Sequence, residues 1–377
     1  MKTPFLIAAV VGLAASGCKW SEFDDLADTT WVRSTDDPSI GSRNYAIAIA
    51  GVSTSSGGGL LGVISDDTPD FSTIDYAADG TDKVGGNDVK LGQHRIAALT
   101  DPPLFTTDGA GKIAIAERST TGGNIAVVYG PATAPVGLEL AAPASPDAVT
   151  FTGTDVVVAA GTTFYTLQTA TQVPCASTDA SFAAAALAAD ATTLWVWAKS
   201  GAFFGVPISA LAPCTGGMLP APGNTFSTPD LMPANGARIH IVGNYAILTA
   251  HPPTSRMGEV FVVDLTTLAQ TDMYSIEGLR SSTVATFGGT TYLVVGVPDR
   301  ALDGVVTGQV DLLAFDTATG TLTKTPAMSL NDADPEAGEL FGRDVTTMKF
   351  NDQEILVVAA NSEVFAYYKT SLYDALP

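Results

Sequence analysis

An all-β fold arranged as a closed ring of small sheets is predicted by three observations on this 377-residue chain. Its apolar residues come in pieces of four to six, bounded by Gly, Asp, Thr and Pro, with no convincing helical periodicity. A run of strand formers, a turn and a second such run recur seven times along the chain. The spacing is loose but centred near one blade of a radial β-sheet array, roughly 40–50 residues.

The first runs occupy residues 45–49, 113–116, 156–159, 194–197, 245–248, 292–295 and 355–358, with starts separated by 68, 43, 38, 51, 47 and 63 residues. Their partners are 60–64, 125–129, 164–167, 203–208, 260–263, 310–315 and 364–368. A short strand precedes six of the hairpins, at 94–99, 148–152, 182–187, 238–242, 283–287 and 345–350, and is expected to be the innermost of its sheet. More polar segments such as 71–76 and 321–325 supply a fourth strand. Four strands in each of seven repeats predict a seven-bladed β-propeller. Segment 29–33 has no hairpin of its own, and an exposed sheet edge needs a partner. Trp31 and Val32 are therefore expected to complete the last blade, so that the propeller domain spans 29–377.

Ahead of that domain, Met1-Lys2-Thr3-Pro4 is a weakly basic start and residues 5–15 are an apolar stretch of signal-peptide length. The stretch is too short to span a bilayer, and no later run reaches the roughly 18 uninterrupted apolar residues of a membrane helix. It ends in Ala15-Ser16-Gly17-Cys18, which resembles the lipobox of bacterial lipoproteins, with Ala15 where that family more often has Leu. The resemblance implies cleavage of 1–17, lipidation of Cys18, a tether over 18–28 and membrane attachment through acyl chains, each buried CH₂ contributing about 0.8 kcal/mol. By the same resemblance, Lys19 in place of Asp points to the outer membrane or cell surface of a Gram-negative bacterium.

With Cys18 lipidated, Cys175 and Cys214 remain, in the similar contexts Val173-Pro-Cys-Ala and Ala212-Pro-Cys-Thr. In an exported setting they are expected to form a structural disulfide. Closing a loop of about 40 residues would constrain the unfolded chain by roughly 3–4 kcal/mol. The formal charge is −21, from 39 acidic and 18 basic residues. With no clustered basic face, nucleic acid is excluded as a partner, and the acidic exterior serves solubility.

Several repeats resemble the FG-GAP repeats of the integrin α-subunit propeller and its bacterial relatives. The residues that carry this are Phe287-Gly288 with Gly296-Val297-Pro298, the run from Gly308 to Phe315, and Phe341-Gly342 with residues 355–360. Blade five keeps Ala250-His251-Pro252 and Gly258. The family often binds Ca²⁺ in an Asp-rich loop between the first two strands of a blade, since a hard cation takes six to eight oxygens. Here those loops shrink to turns such as Gly243-Asn244 and Gly288-Gly289, too short to supply ligands. No cofactor is expected. The one acidic stretch with alternating carboxylates, Asp332, Asp334 and Glu336, is a weak calcium candidate and reads first as a solvated loop.

Catalytic signatures are missing from the sequence. There are three histidines, His94, His240 and His251, and no Gly-x-Ser-x-Gly elbow, His-Glu-x-x-His or phosphate loop. His94 and His240 start inner strands and read as structural. Loops between second and third strands lie on the ligand-binding face of FG-GAP propellers. They are long at 53–59, 118–123, 251–257 and 299–307 and minimal at 161–162. In a closed ring blades five, six, seven, one and two are contiguous, so one arc of this face is built up. It holds Arg118, His251, Arg256 and Arg300, the candidate ligand-binding residues. The sequence therefore predicts a non-catalytic binding or scaffolding propeller for a protein or polysaccharide of the cell envelope. The alternative is a propeller hydrolase or lyase acting on extracellular polysaccharide.

Overall fold

The computed structural model describes residues 30–34, 46–54, 57–65, 71–76, 104–116, 125–129, 136–139, 146–153, 155–168, 171–176, 183–211, 219–228, 233, 236–251, 256–302, 304–331, 338, 340–350, 353–361 and 363–367. Cys18, His94, Arg118, Cys214, Asp332, Asp334 and Glu336 lie outside these residues. The leader and the tether do so as well.

After the strand β1 (Thr30–Ser34), the first sheet contains β2 (Ala46–Ser53), β3 (Gly59–Ser65) and β4 (Phe71–Tyr76). The second contains β5 (Leu104–Thr107), β6 (Ile113–Ala116), β7 (Ile125–Tyr129) and β8 (Val136–Glu139). The third is built from β9 (Ala148–Thr152), β10 (Asp155–Ala160), β11 (Thr163–Gln168) and β12 (Thr171–Ala176). In the fourth stand β13 (Ala184–Ala189), β14 (Thr193–Ala198), β15 (Ala202–Pro207) and β16 (Phe226–Ser227). The fifth is β17 (Arg238–Val242), β18 (Tyr245–Ala250), β19 (Met257–Asp264) and β20 (Ala269–Glu277).

The sixth sheet holds β21 (Ser281–Phe287) and β22 (Thr290–Val297), then a two-stranded ribbon, β23 (Ala301–Leu302) with β24 (Val305–Val306), that stands outside it. It resumes with β25 (Gln309–Asp316), flanked by β26 (Thr321–Leu322) and β27 (Met328–Leu330). The last sheet is β28 (Asp344–Phe350), β29 (Gln353–Ala359) and β30 (Glu363–Tyr367). The N-terminal β1 pairs antiparallel with β30, Trp31 opposite Ala366 and Val32 opposite Phe365, and forms the outer edge of this sheet. No α-helix occurs among the described residues, so none there could cross a membrane as a long apolar helix.

The innermost strands β2, β5, β9, β13, β17, β21 and β28 touch in that order, and β28 returns to touch β2. The sheets are thus blades of a β-propeller. Its core is not central but lies between neighbouring blades. Ala246 and Leu248 of β18 pack toward the fourth blade with Trp197 and Phe261, whereas Ile247 packs toward the sixth with Leu293 and Val295. Val294 points the other way, against Leu356 and Val358 of the last blade. Alternate residues of one strand are buried on opposite faces, so the strands read as continuous apolar runs rather than as polar–apolar alternation.

Two sequence expectations change. In the first blade, the run at 45–49 belongs to the innermost strand, not to the second. β2 runs parallel to β28: Ile49 N donates to Asp344 Oδ2 (2.9 Å) and Gly51 N to Thr346 Oγ1 (3.0 Å). The connection from β2 to β3 therefore joins the first and second strands. Its ends lie on the face of the short hairpin turns, opposite the ends of β18 and β22 from which the predicted long loops start. In the second blade, the innermost strand is β5, ten residues beyond the predicted start at 94.

The two glycine dipeptides of the resemblance also serve different ends. Gly288 and Gly289 form a two-residue hairpin turn with positive φ (59° and 84°), between Phe287 and Thr290. Gly342 instead lets two blades meet. A Cβ on Gly296 would come within 1.9 Å of the Gly342 carbonyl oxygen, so backbone from the sixth and last blades approaches closer than any side chain permits.

Candidate functional site

Two clusters of charged side chains stand out, one on the propeller axis and one between the fifth and sixth blades. The axial cavity, about 440 Å³, is lined by all seven innermost strands. Small and apolar residues such as Ala48, Ala148 and Ala186 line one side, and Arg238, His240, Ser282 and Asp344 the other.

Asp344 joins three blades. Its Oδ1 accepts from Arg238 Nη2 at 2.5 Å and from Val345 N, while Oδ2 accepts from Ile49 N across the ring closure. Arg238 Nη1 reaches the Ser282 carbonyl (2.7 Å). Close by, Ser282 Oγ contacts both His240 Nε2 (2.8 Å) and Thr249 Oγ1 (2.7 Å). Burial first, and then the neighbouring Arg238 charge, push the His240 pKa down to about 3. The ring is neutral and a poor base, and Ser282 is 1% exposed. This serine–histidine contact therefore has neither the basicity nor the access that acyl transfer requires. The structural reading of His240 and the geometry agree.

The second cluster behaves differently. A pocket of about 680 Å³ opens on the face of the long loops and brings together His251, Arg256 and Arg300, three of the four sequence candidates. Each comes from a different chain segment. His251 follows β18, Arg256 precedes β19 and Arg300 precedes the β23–β24 ribbon. Backbone bonds set these segments: Gly278 N donates to the Arg256 carbonyl (2.7 Å), and Thr307 N and Gly308 N to the Arg300 carbonyl (3.2 and 3.0 Å).

A fourth basic residue, Arg280, completes the pocket and also lines the axial cavity. It was missed because it lies outside the long loops, in the connection from the fifth blade to the sixth. The signal available in sequence was its place just before an innermost strand, matched by Arg343 just before β28.

Arg280 Nη2 donates to Asp299 Oδ2 (3.2 Å) and Nη1 to His251 Nδ1 (3.2 Å). A guanidinium can only donate, so His251 Nδ1 accepts and the ring proton sits on Nε2. Burial, and next the Arg280 charge, hold the His251 pKa below its usual range. The His251 Nε2–H is covered and has no hydrogen-bond partner among the described residues. An orphan donor by itself marks no site, since Trp197 Nε1 is another. That indole, however, is sealed in apolar core against Phe261, whereas His251 lines an open pocket.

The remaining arginines are loosely held. Arg300 Nη2 lies 3.9 Å from Asp311 Oδ2, beyond hydrogen-bond reach, while Gln309 Nε2 and Ser329 Oγ donate to Asp311 Oδ1. The Arg256 guanidinium makes no hydrogen bond among the described residues. Among the described residues the pocket lining thus carries three guanidiniums against two carboxylates, Glu277 and Asp299, in a chain of net charge −21. It suits a small anionic group. No cluster of His, Cys, Asp or Glu that could hold a metal ion occurs among the described residues. Cys175 stands on the outer strand of the third blade, opposite Phe164.

No family model matches the chain, and no curated protein matches it. Solved structures do. The WD40 repeats of RRP9 align with a TM-score of 0.57 at 12% identity, covering 89% of this chain and 97% of that one. U3-55K gives 0.56 at 12% identity over 89% and 98%. The WD40 propeller domain of Doa1 gives 0.50 at 11% identity over 86% and 93%. At such identities the likeness concerns the fold alone, and that fold is a β-propeller.

Proposed function

We propose that this chain is an exported, lipid-anchored propeller that binds or scaffolds a protein or polysaccharide of the bacterial envelope without catalysing a reaction. The observation that carries the reading is the pocket between the fifth and sixth blades, where Arg256 and Arg300 are loosely held and a covered His251 N–H lacks a partner. A covered donor without a partner, as at His251 among the described residues, is unusual in a finished interior, and beside two solvent-facing guanidiniums it is a reason to look for a ligand. The axial cavity favours binding over hydrolysis or elimination, since its carboxylate is consumed by the ring closure and its histidine is a weak base. The lipobox resemblance at Ala15-Ser16-Gly17-Cys18 supports the anchor, with Lys19 favouring the outer membrane or cell surface.

Cross-linking on intact cells, followed by identification of the attached molecule, tests the reading. A specific adduct that disappears in the Arg256→Gln/Arg300→Gln variant is expected, and an adduct indifferent to those changes overturns the site. Labelled palmitate should enter the wild type and not Cys18→Ala; labelling of neither, or of both, overturns the anchor.

A further inference from the structure

The rim of the arginine pocket is apolar, and this separates the two ligand classes. The ribbon β23–β24 projects from the sixth blade with Leu302, Val305 and Val306 exposed at 40%, 42% and 42%. Val306 itself lines the pocket, and the neighbouring Met257 is 38% exposed. A ribbon of two residue pairs cannot stabilise itself in water. It is tied down by Gly338 N, which donates to the Val306 carbonyl (2.9 Å), and by the Arg300 backbone bonds. Three large apolar side chains are thus held out into solvent beside two loosely held guanidiniums. With Met257, and Met273 on the outer strand β20, these are the exposed large hydrophobics among the described residues. Three of the five stand on this one ribbon, and such a patch rimmed by polar groups marks an interaction surface.

Saccharide sites commonly offer an aromatic face, and among the described residues this lining has no Phe, Tyr or Trp. A sugar would also leave the ribbon's aliphatic side chains in water. A protein segment that carries a carboxylate next to aliphatic or aromatic side chains satisfies both features. The charge balance limits it to few carboxylates at the centre. Arg280 is occupied by Asp299 and His251, and Glu277 and Asp299 repel a second anion.

Resting on the binding role proposed above, we infer that the pocket receives one carboxylate of an extended acidic–apolar protein segment. Arg256 and Arg300 take the carboxylate, and the Leu302–Val305–Val306 ribbon covers the flanking apolar side chains. Arg280 and His251 act as positioning residues that fix the wall between them. Charge-assisted contacts from arginine to carboxylate give register, and the apolar ribbon gives burial.

Panning a random dodecapeptide phage library against the full chain in detergent micelles tests this. Enriched sequences should carry an Asp or Glu flanked by Leu, Ile, Val or Phe. A synthetic peptide of that type should weaken at least tenfold when its acid becomes the amide. Arg256→Gln/Arg300→Gln should abolish that acid-versus-amide discrimination. Leu302→Ser/Val305→Ser/Val306→Ser should weaken acid and amide peptides alike, leaving the ratio intact. Circular dichroism and thermal melts of both variants verify folding. Enrichment of neutral sequences, no enrichment, or equal binding to the arginine variant overturns the inference. Oligogalacturonate separates the two levels of argument. If it binds through Arg256 and Arg300 while no peptide does, the protein-segment inference falls and the binding role stands. If neither binds and cellular cross-links ignore both arginines, the role of the pocket falls as well.

Discussion

Arg238 on the axis and Arg280 at the edge of the blade five–six pocket each face one carboxylate and sit near one histidine, yet they do opposite work. On the axis every strong partner is met: Asp344 accepts three bonds, its side chain is 4% exposed, and His240 is packed against Ser282. At the pocket the Arg280–Asp299 pair is about half exposed on both sides, His251 keeps an unmet N–H, and two further arginines hold little. Saturation marks a joint of the ring, and shortfall marks a surface prepared for something else. Residue types alone do not separate the two; the count of satisfied partners does.

The strongest way to break the contrast is at the joint. Asp344→Ala removes the acceptor for Ile49 N–H and leaves Arg238 facing a polar gap. Breaking a buried pair by deleting one partner costs about 3 kcal/mol or more. A fall of that size in unfolding free energy, read as a lower urea midpoint at unchanged slope, is expected. A loss below about 1 kcal/mol would mean that the ring closes without this latch, and the distinction between joint and pocket would collapse.

His240 gives the joint a pH signature. Its folded pKa, about 3, lies below the ordinary histidine value of 6.5, so the unfolded chain binds the proton more readily. By linkage, this group's contribution is fully present above pH 6.5 and declines as pH falls toward 3, at about 1.4 kcal/mol per pH unit. Carboxylates titrate in the same window, so the measurement is a difference. Unfolding curves of wild type and His240→Gln between pH 7 and 4 should converge as pH drops. Parallel curves would show that His240 is not held neutral by its surroundings.

Much of this was legible in the chain. The hairpins at 156–167, 245–263 and 292–315 fall on β10–β11, β18–β19 and β22–β25, because continuous apolar runs bounded by Gly turns encode strands buried on both faces. The first blade was misread because the repeat carries no mark of which strand is innermost. Only the side-by-side pairing of Ile49 with Asp344, 295 residues apart, shows it. Loop length pointed to His251, Arg256 and Arg300, while Arg280 stayed hidden in a short inter-blade connection. What makes the pocket distinctive is which hydrogen bonds go unmade, and no local sequence pattern records that.

At the pocket the expected effects on stability are smaller and the informative readout is electrostatic. Arg280→Gln gives up an exposed ion pair, worth under about 1 kcal/mol. It also removes a positive charge that helps keep His251 neutral, so the His251 pKa should rise toward its ordinary value, followed as an NMR titration of the ring. No movement would mean that Arg280 does not set the protonation of its neighbour, and the wall it forms with His251 would lose its electrostatic basis.

The smallest effect on folding is expected at Arg300, and the smallness is the point. Its guanidinium is 43% exposed and stands 3.9 Å from Asp311 Oδ2, beyond hydrogen-bond reach, while Gln309 and Ser329 donate to the other oxygen, Oδ1. Arg300→Gln should therefore shift unfolding by no more than about 0.5 kcal/mol, the range of ordinary surface substitutions. Were the change instead to cost 2 kcal/mol or more in a thermal or urea melt, Arg300 would be a structural tie like Arg238. The pocket would then be a second joint rather than an open site. A near-silent Arg300 leaves binding as the reason for a cation held beside an exposed apolar ribbon on so acidic a protein.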